Sequence, residues 1–287
     1  MSNARILFGE AATLLDVVDS AISIATRHNY TFISDDWFKD WQQSADFSIE
    51  RMNFILVLEL VEKAHLASTT AVMRARRWVE AISFMYEKEN FLAWAAAYRG
   101  LLESAGDTLD GLYRIPGALA QHHRLITAFL NGRGDSILDV SELESMLDHY
   151  VHAKWMRTKR NEVNVLRAKE NSEYVSNLDI AIPNVISLYQ KLCSICHPSS
   201  SSLDYFYDVN QEGGFKLSTG MDAAAIAALV SEYPDALSKI VQASCIPPLL
   251  TLRILHKFKI HPQIPMLKLI DWSHIEMAKE IEHFLRN

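Results

Sequence analysis

The chain is poor in the residues that staple or turn a fold: 3 cysteines, 10 glycines and 8 prolines in 287 positions. Cys193, Cys196 and Cys245 are too sparse, and odd in number, for a secreted disulfide scaffold, so a reducing compartment is expected. Scarce Gly and Pro argue against a many-turned β architecture and for long helices. No apolar run approaches the ~20 residues of a membrane span. The longest, Phe54 to Leu58, resumes past Glu59 only for Leu60 and Val61. Positive charge is also in the minority, 28 Lys and Arg against 35 Asp and Glu, a net charge of −7. That balance argues against coating nucleic acid by bulk electrostatics and leaves a local basic patch open. Glu10 and Asp16 interrupt any apolar core near the first residues, so no secretory signal is expected, and the expected location is the cytoplasm.

What is present is helical spacing. Leu7, Ala11, Leu14, Val18, Ile22 and Ala25 step by three or four and predict one helix with one apolar face. Ser34 to Asp36 caps a short helix bearing Trp37, Phe38 and Trp41. Residues 49–66 read as a buried central helix, with Ser68-Thr69-Thr70 capping the next. A helix follows from Phe91 to Tyr113, and another begins near Pro116. A long polar helix is expected from Ser141 towards Glu170, and one opened by Pro183 closes at His197-Pro198. Residues 204–217 suit a loop or small hairpin, and Pro247-Pro248 is expected to start a late helix. The fold expectation is all-α. Roughly six long helices form a bundle over residues 1–200, and residues 201–287 form a smaller C-terminal helical region packed on it. Leu56, Leu60, Val79, Ile82, Leu102, Leu109, Leu188 and Leu192 are the expected core.

Few motifs carry chemistry. Cys193-Ser194-Ile195-Cys196-His197 matches a haem attachment pattern and a redox Cys-x-x-Cys. Haem attachment needs export. A redox pair needs a helix N-terminus to lower its thiol pKa, and this pair ends a helix, so packing is the plainer reading. His149 and His152 with Asp148, and Glu280 with His283, have helical metal spacing, but a di-metal bundle needs further carboxylate helices. No metal site and no cofactor is expected. No phosphate loop, dinucleotide fingerprint or nucleophile elbow is present. Residues 152–169 hold Lys154, Arg157, Lys159, Arg160, Arg167 and Lys169 against Glu162 alone, a local charge of +5. Phosphate contact and a solvated face are both open there. Arg74, Arg76 and Arg77 form a second basic cluster.

Arg99 and Glu103 are the most informative pair. Four apart, they share a helix face with Ala95, Ala96, Gly106 and Asp110, whose small residues imply close approach of a neighbour. The stretch Ala97-Tyr98-Arg99-Gly100-Leu101-Leu102-Glu103-Ser104-Ala105, followed by Tyr189-Gln190-Lys191-Leu192-Cys193-Ser194-Ile195-Cys196-His197-Pro198, resembles a family of uncharacterised bacterial helical proteins. That family is distantly similar to HEPN-type bundles, which include RNases of toxin and phage-defence systems. The resemblance covers roughly residues 70–205 and carries over to Arg99, Glu103, Tyr189 and His197. HEPN RNases hold an Arg and a His on one helix, and here the corresponding basic residue is Lys191, a point charge without a bidentate fork.

The resemblance implies a HEPN-like protein of a bacterial phage-defence, toxin–antitoxin or stress system, binding RNA or a nucleotide. If it is an enzyme, it would cleave a phosphodiester by acid–base chemistry, with Arg99, Glu103, Lys191 and His197 as catalytic candidates. Lys154, Arg157, Lys159, Arg160 and Tyr189 are the binding candidates. The alternative is a non-enzymatic module that binds or sequesters a partner protein. The expected partners are thus RNA or a nucleotide, a partner protein, or a second copy in a homo-oligomer, and no membrane. Arg99, Glu103 and His197 are expected to lie together although distant in sequence.

Overall fold

The computed structural model describes residues 3–133, 139–154, 166–198, 200–209 and 213–286. In chain order the elements are α1 (Asn3–Phe8), α2 (Ala12–Ala25), α3 (Asp35–Gln42), α4 (Ile49–Glu87), α5 (Phe91–Leu112), α6 (Ile115–Gln121) and α7 (His123–Leu130). Next come α8 (Ser141–His152), α9 (Asn171–Ser176), α10 (Val185–Cys196) and α11 (Ser200–Leu203). The hairpin strands β1 (Tyr207–Val209) and β2 (Phe215–Leu217) precede α12 (Asp222–Glu232), α13 (Ala236–Leu255) and α14 (Glu276–Arg286). Among the described residues the protein is all-α apart from that antiparallel hairpin and one isolated bridge. Among the described residues, no helix is long and apolar enough to cross a membrane.

The chain divides into two compact units, each drawn from three separate stretches. The first contains residues 1–16, 73–110 and 169–245, the second 17–72, 111–168 and 246–287. Both therefore take residues from either side of position 200. In the first unit Trp94, Tyr98, Leu101 and Leu102 of α5 are buried, as are Leu188 and Leu192 of α10 and Ile240 of α13. In the second, Val57, Leu60, Val61 and Ala64 of α4 are buried with Leu119, Ile126, Leu250 and Ile281. There α14 packs on α6. Of the expected core, Leu56 and Leu109 are only half-buried.

Local signals explain several boundaries. Ser34 Oγ accepts the Trp37 amide at 3.2 Å and starts α3. Asn90 Oδ1 accepts the Ala93 amide at 3.0 Å at the start of α5. His197 leaves α10 in an extended conformation, φ −85° and ψ 149°, the one favoured before proline.

Other boundaries differ from expectation. Gly9, at φ +53°, begins a short 3-10 turn that separates α1 from α2, so the first apolar face is not one helix. Ser68-Thr69-Thr70 caps nothing: α4 runs through it for 39 residues. Thr70 Oγ1 donates back to the Leu66 carbonyl at 2.8 Å, which satisfies the hydroxyl inside the helix. Pro247 and Pro248 likewise lie within α13 rather than at a start. Thr251 Oγ1 donates to the Pro247 carbonyl at 3.0 Å, and burial of Leu249, Leu250 and Leu252 outweighs the two missing amide donors. The expected polar helix stops at His152, and Lys154 pairs through its backbone with the Arg167 region.

Candidate functional site

Helix α5 presents Arg99 and Glu103 one turn apart, and α10 presents Tyr189 two turns before its end at His197. All four belong to the first unit. Arg99 Nε–H donates to Glu103 Oε1 at 2.9 Å, and the Tyr189 hydroxyl donates to the same oxygen at 3.0 Å. The Arg99 guanidinium lies 5.8 Å from the Tyr189 ring centroid. Its Nη1 is 3.3 Å from His197 Nε2. For that contact to be a hydrogen bond, His197 must be neutral with its proton on Nδ1, because the guanidinium can only donate. Glu103 thus anchors one edge of the guanidinium, and His197 faces the other at the surface.

The Arg99 and Glu103 side chains are each 23% exposed, so the pair is partly solvated rather than sealed in the core. Burial works against the Arg99 charge, but the hydrogen bond and charge of Glu103 outweigh it and raise its pKa. Burial, then the hydrogen bond to Glu103, push the Tyr189 phenol above its ordinary value, so it stays a donor. Burial also raises the Cys196 thiol, against the opposing pull of Arg99.

Downstream of Glu103, α5 continues as an acidic row, each member matched by a cation. Arg74 Nη2 donates to Asp107 Oδ2 at 2.5 Å, and Lys169 Nζ reaches both Asp110 oxygens at 2.7 and 2.8 Å. The expected close approach occurs at Gly106, where a Cβ would sit 2.4 Å from the Tyr174 carbonyl oxygen. Asp107 and Arg74 were missed as a pair from sequence. The i, i+4, i+8 spacing from Arg99 through Glu103 to Asp107 was the available signal.

The remaining sequence candidates lie elsewhere. Lys191 is bound to Glu232, away from the cluster, because residues two apart on a helix face different sides. Lys154 is exposed and in the second unit. Arg157, Lys159 and Arg160 lie outside the described residues. Cys193 and Cys196 are free thiols at the C-terminal end of α10, the wrong end for a lowered thiol pKa. Asp148, beside the spaced histidines of α8, is held by Lys63 at 3.0 Å.

Fold and site together define an all-α protein with an Arg–Glu–Tyr–His cluster built from two helices far apart in sequence. No family model matches the chain, and no curated protein or solved structure does.

Proposed function

We propose that this is a HEPN-like protein of a bacterial phage-defence, toxin–antitoxin or stress system, and that it binds RNA or a nucleotide phosphate at the Arg99–His197 cluster. The observation that carries the reading is the Arg99 Nη1–His197 Nε2 approach of 3.3 Å at an exposed edge. An arginine fixed by a carboxylate on one side and open to a histidine on the other suits a phosphate oxygen arriving between them. A histidine beside that phosphate suits proton transfer. In cleavage, the arriving phosphate would take over the Arg99 Nη1–H, and the freed His197 Nε2 lone pair would take the 2′-hydroxyl proton as that oxygen attacks phosphorus and the bond to the 5′ oxygen breaks. The departing 5′ oxygen would take a proton from water, and the hydroxide left behind would take the proton held by His197, which restores the neutral ring. The supporting arginine comes from α5, in place of the Lys191 that the resemblance aligns.

The test is fluorescence anisotropy with a single-stranded RNA oligonucleotide, run beside a cleavage assay. Arg99→Ala should weaken binding about tenfold or more, as loss of a charged phosphate contact does. His197→Gln should keep binding and lower cleavage by roughly 10²–10⁴-fold. No RNA or nucleotide binding, or binding indifferent to Arg99→Ala, defeats the reading.

A second reading, a non-enzymatic interaction module, is favoured by the hairpin. Val209, Phe215 and Leu217 are 63%, 71% and 82% exposed on a sheet of two strands among the described residues. A short apolar hairpin with open edges suits pairing with a second copy. Sedimentation of the chain beside Phe215→Lys tests pairing through the hairpin: a dimer lost in the variant supports it, and a monomer throughout removes a second copy as the hairpin's partner.

A further inference from the structure

In the second unit three side chains converge that no sequence spacing links. His28 follows the end of α2, Glu62 lies on α4, and His261 follows α13. His28 Nε2 is 2.8 Å from Glu62 Oε2, and His261 Nε2 is 3.5 Å from the same oxygen. One ligand atom from each lies within 4.8 Å of the others. In a tetrahedral zinc site with bonds near 2.0–2.1 Å, neighbouring ligand atoms stand about 3.3 Å apart. The three groups are therefore close to ligand spacing and need shifts of an ångström or so, not a rearrangement of helices.

We propose that His28, Glu62 and His261 form a divalent transition-metal site, and that zinc is the ion this donor set suits best. Two imidazoles and one carboxylate make a three-ligand set of mixed N and O donors, which leaves a fourth position for water or a substrate atom. A second observation points to a ligand independently of the spacing. His261 has a fully buried side chain, yet its Nδ1 is buried without a partner and its Nε2 meets only Glu62 Oε2, at 3.5 Å and outside hydrogen-bond geometry. Such orphans are rare in folded proteins, and a metal on Nε2 would account for one of them.

The surroundings are those of a supported ligand set. The His65 ring stacks on His261 with centroids 3.9 Å apart and planes 7° from parallel. His65 Nδ1 is in turn held by the Tyr30 hydroxyl at 2.6 Å. This fixes the plane of the His261 ring, the role that outer groups play around bound metals. The His28 side chain is 19% exposed, which gives the ion a way in from solvent. Among the described residues three ligands converge, which leaves a fourth position for water or a small ligand.

The experiment uses the full chain after chelator treatment, titrated with Co²⁺ and followed by visible absorption, then by competition with Zn²⁺. One ion per chain is expected, with the absorption of a low-coordinate cobalt centre that zinc abolishes. His28→Gln and Glu62→Gln should each weaken binding beyond the roughly 10–100-fold that loss of a merely supporting contact causes. A fold loss in either variant would not blur the result, because X-ray absorption of the unmodified cobalt protein reads the ligands directly. Two imidazoles with oxygen ligation supports the site. Absence of stoichiometric binding overturns it, as does sulfur ligation from Cys193, Cys196 or Cys245, or binding unchanged in both folded variants.

Discussion

Arg99 Nη1 lies 3.3 Å from His197 Nε2, although the two are 98 positions apart in the chain. Glu103 holds the opposite edge of the guanidinium and also accepts the Tyr189 hydroxyl, so one carboxylate oxygen orients both neighbours. The cluster is asymmetric in consequence. Removing its anion strands a cation, and removing both charges does not.

Glu103→Ala is therefore expected to lower stability by about 1–2 kcal/mol, a charged hydrogen bond discounted for partial exposure. The double variant Arg99→Ala with Glu103→Ala should lose less than the single one. Urea unfolding midpoints at unchanged slope decide this. A double variant weaker than the single would show that Arg99 is stabilised mainly by contacts other than Glu103.

Gly106→Ala should destabilise by about 1–3 kcal/mol, because the new methyl meets backbone that cannot rotate away. The Tyr174 carbonyl stands 2.4 Å from the added atom. Gly117→Ala is the control: it lies within α6 and a Cβ there meets nothing within 4 Å. It should be neutral or gain up to about 1 kcal/mol through helix propensity. Thermal melts of the two variants, side by side, check the contrast.

The Cys193→Ala/Cys196→Ala double variant should lose about 1 kcal/mol of packing per thiol and leave the proposed RNA binding unchanged. The raised Cys196 thiol should also react slowly with disulfide reagents near neutral pH. Rapid labelling of Cys196, or haem absorbance in protein from its native host, would restore a redox or haem role to the pair.

Acid should weaken the second unit through His256. Burial, then the nearby Lys268 charge, lower its pKa below the ordinary 6.5, and its Nε2 accepts the Ile264 amide at 3.1 Å. Below the unfolded pKa the unfolded chain binds a proton that the native ring resists, so stability is present above about pH 6.5 and falls as pH drops below it. His256→Gln keeps an acceptor near the Nε2 position that cannot charge. Its stability should change less than the wild type's between about pH 7 and pH 5. Parallel slopes in chemical denaturation would remove His256 as a cause.

Periodicity and composition alone determined the helical class, because apolar residues three and four apart need only one helix to declare a face. The same local rule made Arg99 and Glu103 legible as a pair, and the proline after His197 made the end of α10 legible. Local rules misled where packing outweighed them, as at Ser68 to Thr70 inside α4 and at Pro247-Pro248 inside α13. Lys191 stood beside His197 in a sequence motif, yet the turn of the helix sends it to Glu232. Only the tertiary structure could bring His197 to Arg99, or His28 and His261 to Glu62, because such encounters depend on how separate helices pack. A helical period records which face a residue occupies and carries no information about which distant segment that face will meet.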